Sequence, residues 1–271
     1  MPEKYMIDIG EDGSKGLDKL DYLYNPSTQE FLLLAGLKPG MKVLDIGCGS
    51  GVMSCWLAQQ VGEQGSVVGI ENNANQLNAA KKRAKNAGIS NARFELCSAY
   101  DIASLKQQFD LVYCRFLLHH LHDPMKAIEA IYQVLKPKGI YVAEEGIVNY
   151  AFTYPYSYAW GSDSTRLTQV WTDVPADNRD PNIGIKMATK MQQSGFSIQS
   201  TKIIHPIMWT KQEKQLLLLG IDEMKDYYLA EGHTETDWLK YIEETKRIVN
   251  NDDQIVGFYG SCQVAGIKWK K

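Results

Sequence analysis

Between residues 40 and 146 short apolar runs alternate with amphipathic stretches, and no other feature limits the fold of this chain as much. "MKVLDIG", "SVVGIE", "ARFELC", "FDLVYC" and "IYVAEEG" are nearly continuous in apolar residues, as strands covered on both faces are. "GVMSCWLAQQVG" reads as a short helix that stops at its glycine. "NQLNAAKKRAKNAG" aligns Leu77, Ala80, Ala84 and Ala87 and stops at Gly88. Asp123 is placed to cap a helix that has Pro124 in its first position, with Ile128, Ile131, Tyr132 and Leu135 on one face. "KPKG" should break that helix. Strands separated by helices pair in parallel through right-handed crossovers. The predicted fold class is therefore α/β, a doubly wound sheet, which binds ligands beyond the carboxyl ends of its strands where the strand order reverses.

The first strand runs into three alternating glycines, Gly47, Gly49 and Gly51, where a helix should begin. Backbone bare of side chains there leaves room for a ligand. Glu71 ends the second strand, 20 residues after Gly51. Its carboxylate can accept hydrogen bonds from both hydroxyls of an adenosine ribose. NAD and S-adenosylmethionine (SAM) both fit that arrangement. A dinucleotide turn is GxGxxG, with a pyrophosphate at the helix start. This chain has GxGxG preceded by Asp45, and an acidic residue suits the ammonium of SAM rather than a phosphate.

"VLDIGCGSG" closely resembles motif I of the class I SAM-dependent methyltransferases. "VVGIENN", "FDLVYCRFLLHHLHDP" and "LKPKGIYVAEEG" are similar to that family's later motifs, and the likeness covers roughly residues 38 to 147. Within the family the chain looks most like small-molecule enzymes of the quinone- and sterol-modifying type. The resemblance implies a seven-stranded, mostly parallel Rossmann-like sheet with SAM as cofactor and S-adenosylhomocysteine as product. It assigns Asp45, Gly47, Cys48, Gly49 and Gly51 to the cofactor turn, and Glu71 with Asn72 to the ribose. It assigns Ser98, Ala99 and Tyr100 to the adenine. Many relatives have Gly-Asp-Ala where this chain has Cys97-Ser98-Ala99, so a hydroxyl replaces the charged acceptor unless Asp101 supplies one. Arg115 falls where relatives contact cofactor or acceptor, and a structural ion pair is its equal alternative.

The resemblance also implies that the sheet ends in two antiparallel strands, which "FSIQSTKIIHPIMW" and "IVGFYGSCQVAGIKW" suit. One methyltransferase domain over 1–271 is expected. Residues 1–37 would be a helical cap and 38–147 the cofactor core. Residues 148–182 and 211–252 would be lid insertions, and 183–210 and 253–271 the last helix and strands. The alternating aromatics Tyr150, Phe152, Tyr154, Tyr156, Tyr158 and Trp160 suit an exposed-face strand, core packing or an aromatic substrate pocket. No general base stands out. His119, His120, Tyr154 and Tyr156 are the candidates, a neutral imidazole being suited to the work near pH 7. "HHLHDP" suggests a metal, but its spacing and the capping role of Asp123 argue against one.

The net charge of −3 does not favour a nucleic-acid partner. No apolar run approaches the ~20 residues of a membrane span. Five scattered cysteines, with no CxxC pair, read as buried free thiols of a cytoplasmic protein. The expected reaction is transfer of a methyl group to a small organic acceptor by in-line displacement. An RNA or protein methyltransferase, or a non-catalytic SAM-binding protein, is the alternative, and the insertions could also serve a homodimer.

Overall fold

A computed structural model describes residues 13–160, 180–218, 221, 225–230 and 232–269. Its strands are β1 (Lys42–Ile46), β2 (Ser66–Glu71), β3 (Ala92–Leu96), β4 (Phe109–Arg115), β5 (Leu135–Ile147), β6 (Phe152–Tyr154), β7 (Ser197–Ile204), β8 (Ile207–Met208), β9 (Ile255–Gly257) and β10 (Gly260–Ile267). The helices used below are α1 (Gly13–Ala35), α2 (Val52–Val61), α3 (Ala74–Asn86), α4 (Pro124–Val134), α5 (Met187–Gln193), α6 (Lys211–Lys214), α7 (Lys225–Ala230) and α8 (Glu235–Asn250).

Seven strands form the main sheet in the order β3-β2-β1-β4-β5-β10-β7. The first five are parallel, while β10 is antiparallel to both β5 and β7. The order reverses between β1 and β4, so the crevice of this doubly wound sheet opens beyond Ile46 and Arg115. One core face is built on Leu44, Val68, Val112, Tyr141 and Ile128. The other is built on Val43, Leu111, Leu57, Phe31 and Leu32. Asp123 caps α4 as expected, accepting from Lys126 N. Asn73, to which the sequence reading gave no role, caps α3, its side chain accepting from Asn75 N and Gln76 N.

Two elements differ from the sequence-based expectation. β5 begins at Leu135 rather than at Ile140. "KPKG" bulges from the ladder, Lys138 takes φ 64°, and its N–H donates to Lys268 O at 2.8 Å. The two last strands each break in two. Pro206 has no N–H for a ladder, and it accepts instead from Phe258 N at 2.9 Å. Beyond this break β8 and β9 leave the main sheet and pair with β6 in a three-stranded sheet, order β6-β9-β8. Gly257 makes the pairing possible, because a Cβ there would lie 2.1 Å from the Phe152 ring.

This second sheet packs with α7 and α8 around Tyr24, Trp160, Met208, Tyr228, Trp238, Tyr241 and Phe258. The helical reading of 211–252 thus agrees with α6, α7 and α8, and residues 161–179 of the other insertion lie outside the described residues. α1 joins the two cores. Its first half supplies Leu20, Leu23 and Tyr24 to the aromatic cluster, and its second half supplies Phe31 and Leu32 to the main core.

Candidate active site

The turn after β1 is held by its own backbone. Gly47 N and Cys48 N both donate to Ile70 O at 2.9 Å, and Gly51 N donates to Cys48 O at 2.9 Å. Gly47, Gly49 and Gly51 have φ of 69°, 52° and 80°, the left-handed region that glycine adopts without a Cβ penalty. Space excludes side chains as well. A Cβ on Gly47 would meet Leu117 at 3.1 Å, and one on Gly51 would meet the Ala80 Cβ at 2.8 Å.

A cleft opens beside this turn, lined by Ile46, Gly47, Glu71, Asn72, Cys97, Ala99, Leu117 and Leu121. Glu71 is buried at its rim. Its Oε1 accepts from Asn72 N at 2.8 Å and Asn73 N at 3.0 Å, and its Oε2 accepts from Gly49 N at 3.1 Å. A carboxylate has about four acceptor directions, so one remains, on Oε2. Cys97 entered the sequence reading only as the first residue of the adenine motif, and Leu117 and Leu121 were given no role there. Leu117 could have been found only from its packing against Gly47.

Asp45 is buried at the end of β1, and its Oδ2 accepts from Ser54 Oγ at 2.5 Å. Burial pushes its carboxyl up to about 7, against the opposing pull of the Ser54 hydroxyl and Arg115. Cys48 is buried and its thiol is pushed up by burial, so it is no thiolate. Ser98 Oγ accepts from Tyr100 N at 3.2 Å, and Tyr100 OH accepts from Asp123 N at 3.1 Å. Of the expected adenine residues, Ala99 lines the cleft; Ser98 and Tyr100 brace the turn behind it.

Arg115 lies against α1. One guanidinium N–H donates to Asp21 Oδ1 at 2.5 Å and another to Thr28 Oγ1 at 3.0 Å. The ion-pair alternative describes its surroundings, and it is not among the cleft-lining residues. Thr28 in turn donates to Glu144 Oε2 at 2.6 Å, and Ser261 Oγ donates to Glu144 Oε1 at 2.8 Å. Tyr154 and Tyr156 are 70% and 62% exposed, while Trp160 is buried in the aromatic cluster. The structure therefore does not bring Tyr154 or Tyr156 to the cleft. The His119 and His120 rings lie with centroids 3.9 Å apart, tilted at 45° to each other, and His119 is two residues beyond the cleft-lining Leu117. Among the described residues no cluster of three or more His, Cys, Asp or Glu could hold a metal, and no helix is long and apolar enough to cross a membrane.

Gly47 and Glu71 line the cleft, whereas Asp45 is buried behind it and is not among the lining residues. Comparison with known proteins identifies the family. The methyltransferase-domain family model matches residues 37–208. The ubiquinone/menaquinone biosynthesis C-methyltransferase UbiE of Vibrio vulnificus is 31% identical over 106 residues, 39% of this chain and 41% of that protein. The demethylmenaquinone methyltransferase of Lactobacillus johnsonii is 30% identical over 145 residues, 51% of this chain and 59% of that protein. The chain thus spans less than two thirds of the length of these curated relatives. Among solved structures, phosphoethanolamine N-methyltransferase 2 of Haemonchus contortus, solved with phosphomonomethylethanolamine and S-adenosylhomocysteine, superposes with TM-score 0.61 at 17% identity, over all of this chain and 61% of that one. At that identity the match speaks for the fold. With the family model covering more than half of its length, the chain belongs to the methyltransferase-domain family of class I SAM-dependent enzymes.

Proposed function

We propose that this protein transfers the methyl group of SAM to a small organic acceptor. The observation that carries the reading is the bare glycine turn with the Glu71 carboxylate at its rim, one acceptor direction still open. SAM supplies a methyl on a cationic sulfur, which an acceptor lone pair or carbanion attacks in line. The work left to the chain is to align the partners and exclude water. Gly47, Gly49 and Gly51 let the cofactor approach the backbone, with Cys48 between them. Asn72 and Ala99 wall the adenosine side, and Asp45 would hold the ammonium when ionised.

An acceptor of the quinone type is supported by the curated relatives named above, whose printed activities concern quinones. A concavity of about 660 Å³ beside α1 supports a small acceptor in general. Its walls include Tyr22, Asn25 and Pro26 of α1, Ile207 of β8 and Val52 at the start of α2. That volume is within the range of small-molecule sites.

Calorimetry with SAM, S-adenosylhomocysteine and NAD tests the donor. The first two should bind, and binding of NAD alone would overturn the assignment. A metabolite extract incubated with methyl-labelled SAM tests the acceptor. Label in a small molecule is expected; label only in RNA or protein would replace the substrate class.

A further inference from the structure

The last strand of the parallel series, β5, carries two adjacent carboxylates near its end, Glu144 and Glu145, and both are fully buried. A buried carboxylate costs several kcal/mol unless hydrogen bonds replace its water. Glu144 is satisfied by Thr28 and Ser261 and joins α1 to the sheet. Glu145 points to the opposite face and has a different set of partners. Its Oε1 accepts from Leu117 N at 3.0 Å and Leu118 N at 2.8 Å. Its Oε2 lies 2.9 Å from His119 Nδ1. The carboxylate therefore fixes both the loop that walls the cofactor cleft and the imidazole two residues beyond Leu117.

We propose that Glu145 is a positioning residue for methyl transfer: it holds His119 as the Nδ1–H tautomer, so that Nε2 presents its lone pair as a general base to the acceptor. The inference rests on the donor-site reading above. A carboxylate acceptor for Nδ1–H selects that tautomer and fixes the ring's orientation. His119 is nine-tenths buried and sits after Leu117, which both lines the cleft and touches Gly47. The preceding residue, Phe116, adopts φ 51°. A bulky side chain in the left-handed region is a strained arrangement that the surroundings must hold in place. Phe116 N donates to Glu144 O at 2.9 Å and its ring meets Tyr24 edge-on at 4.9 Å. The backbone carbonyl of Glu144 and the carboxylate of Glu145 thus anchor the loop from neighbouring positions on β5.

The titratable groups around the pair are few. Cys114 on β4 and Tyr141 on β5 face Glu145, and burial pushes both up so that they stay neutral. The His120 ring lies 3.9 Å from that of His119, tilted at 45°.

A base so placed implies the class of acceptor. Nε2 takes a proton from an acidic O–H, such as a phenol or an enol. The electron pair released forms the bond to the donor methyl, at oxygen or at the conjugated carbon. The carbon–sulfur bond breaks onto sulfur, which leaves neutral. Transfer to a conjugated carbon is followed by loss of that carbon's own proton. A neutral amine needs no such base before attack.

The test uses the full chain, SAM and 1,4-naphthohydroquinone as a probe acceptor, with ring-nitrogen NMR of the five histidines. His119 should show the Nδ1–H tautomer, and the probe should be methylated. Glu145→Gln should lower kcat tenfold or more while the KM for the probe and the affinity for S-adenosylhomocysteine stay as in wild type. A purely structural carboxylate would lose S-adenosylhomocysteine affinity in step with the rate. His119→Gln should abolish transfer with S-adenosylhomocysteine binding kept, which keeps the idea testable if Glu145→Gln does not fold. An Nε2–H tautomer in the wild type, loss of S-adenosylhomocysteine affinity in step with the rate, or no transfer to the probe while S-adenosylhomocysteine binds would each overturn the proposal. Failure of S-adenosylhomocysteine to bind would overturn the donor reading instead, and the tautomer would then still decide whether Glu145 orients His119.

Discussion

At the scale of single residues, the site depends on groups whose neighbours shift their chemistry. Asp45 is the clearest case, because burial raises its carboxyl to about 7. Its folded value lies above the unfolded value of about 3.9. Between those values the folded state holds a proton that the unfolded state has released, so stability falls as pH rises from about 4 to about 7. Asp45→Asn should therefore be more stable than wild type at pH 8 and equal to it near pH 4, measured by urea unfolding at both. If Asp45 takes the SAM ammonium, S-adenosylhomocysteine affinity should also weaken as pH falls through 7, and the substitution should remove that dependence. Glu71→Ala should weaken SAM by about 1.5–3 kcal/mol, the loss of a hydrogen bond to a charged group; calorimetry reads it directly. Gly51→Ala places a methyl 2.8 Å from Ala80 at φ 80°. It should cost about 1–3 kcal/mol through overpacking, with left-handed strain added.

At the scale of elements, α1 matters most. It carries Pro26 in its interior, between the half that packs on the aromatic cluster and the half that packs on the main core. Polar contacts fasten it across that junction. Asp21 meets Arg115, Thr28 meets both Arg115 and Glu144, and Tyr24 OH donates to Tyr259 O at 2.6 Å. Thr28→Val takes a donor from a fully buried carboxylate and an acceptor from a guanidinium in one step. It should destabilise the protein by about 1–3 kcal/mol in chemical denaturation. A serine in its place keeps the hydroxyl and should restore most of the loss.

At the scale of the whole molecule, two sheets of unequal strength share one chain. The main sheet pairs strands of five to thirteen residues around its centre, while β6, β8 and β9 have three, two and three. Small cooperative units open at lower free energy than the global transition. Amides of β6, β8 and β9 should exchange with deuterium well before those of β1, β4 and β5. Equal protection across both sheets would show that they unfold as one unit. α8, with Trp238 and Tyr241 buried against this sheet, should exchange with it.

The parallel half of the fold was legible because its signals are local. Apolar runs set β1 to β4, Asp123 caps α4 by a contact within three residues, and the glycine spacing with Glu71 fixes the cofactor turn. What sequence could not show depends on partners far along the chain. Thr28 and Glu144 are 116 residues apart, and Arg115 and Asp21 are 94 apart. No pattern within either segment states that they meet. The second sheet is of the same kind, since β6 and β9 pair across about 100 residues. The sequence by itself determined the methyl-donor turn, a property of backbone conformation at adjacent positions. Only the tertiary structure decided which buried carboxylate finds Thr28 of α1 and which finds His119, because alternate residues of a strand face opposite sides of the sheet and each side has its own partners.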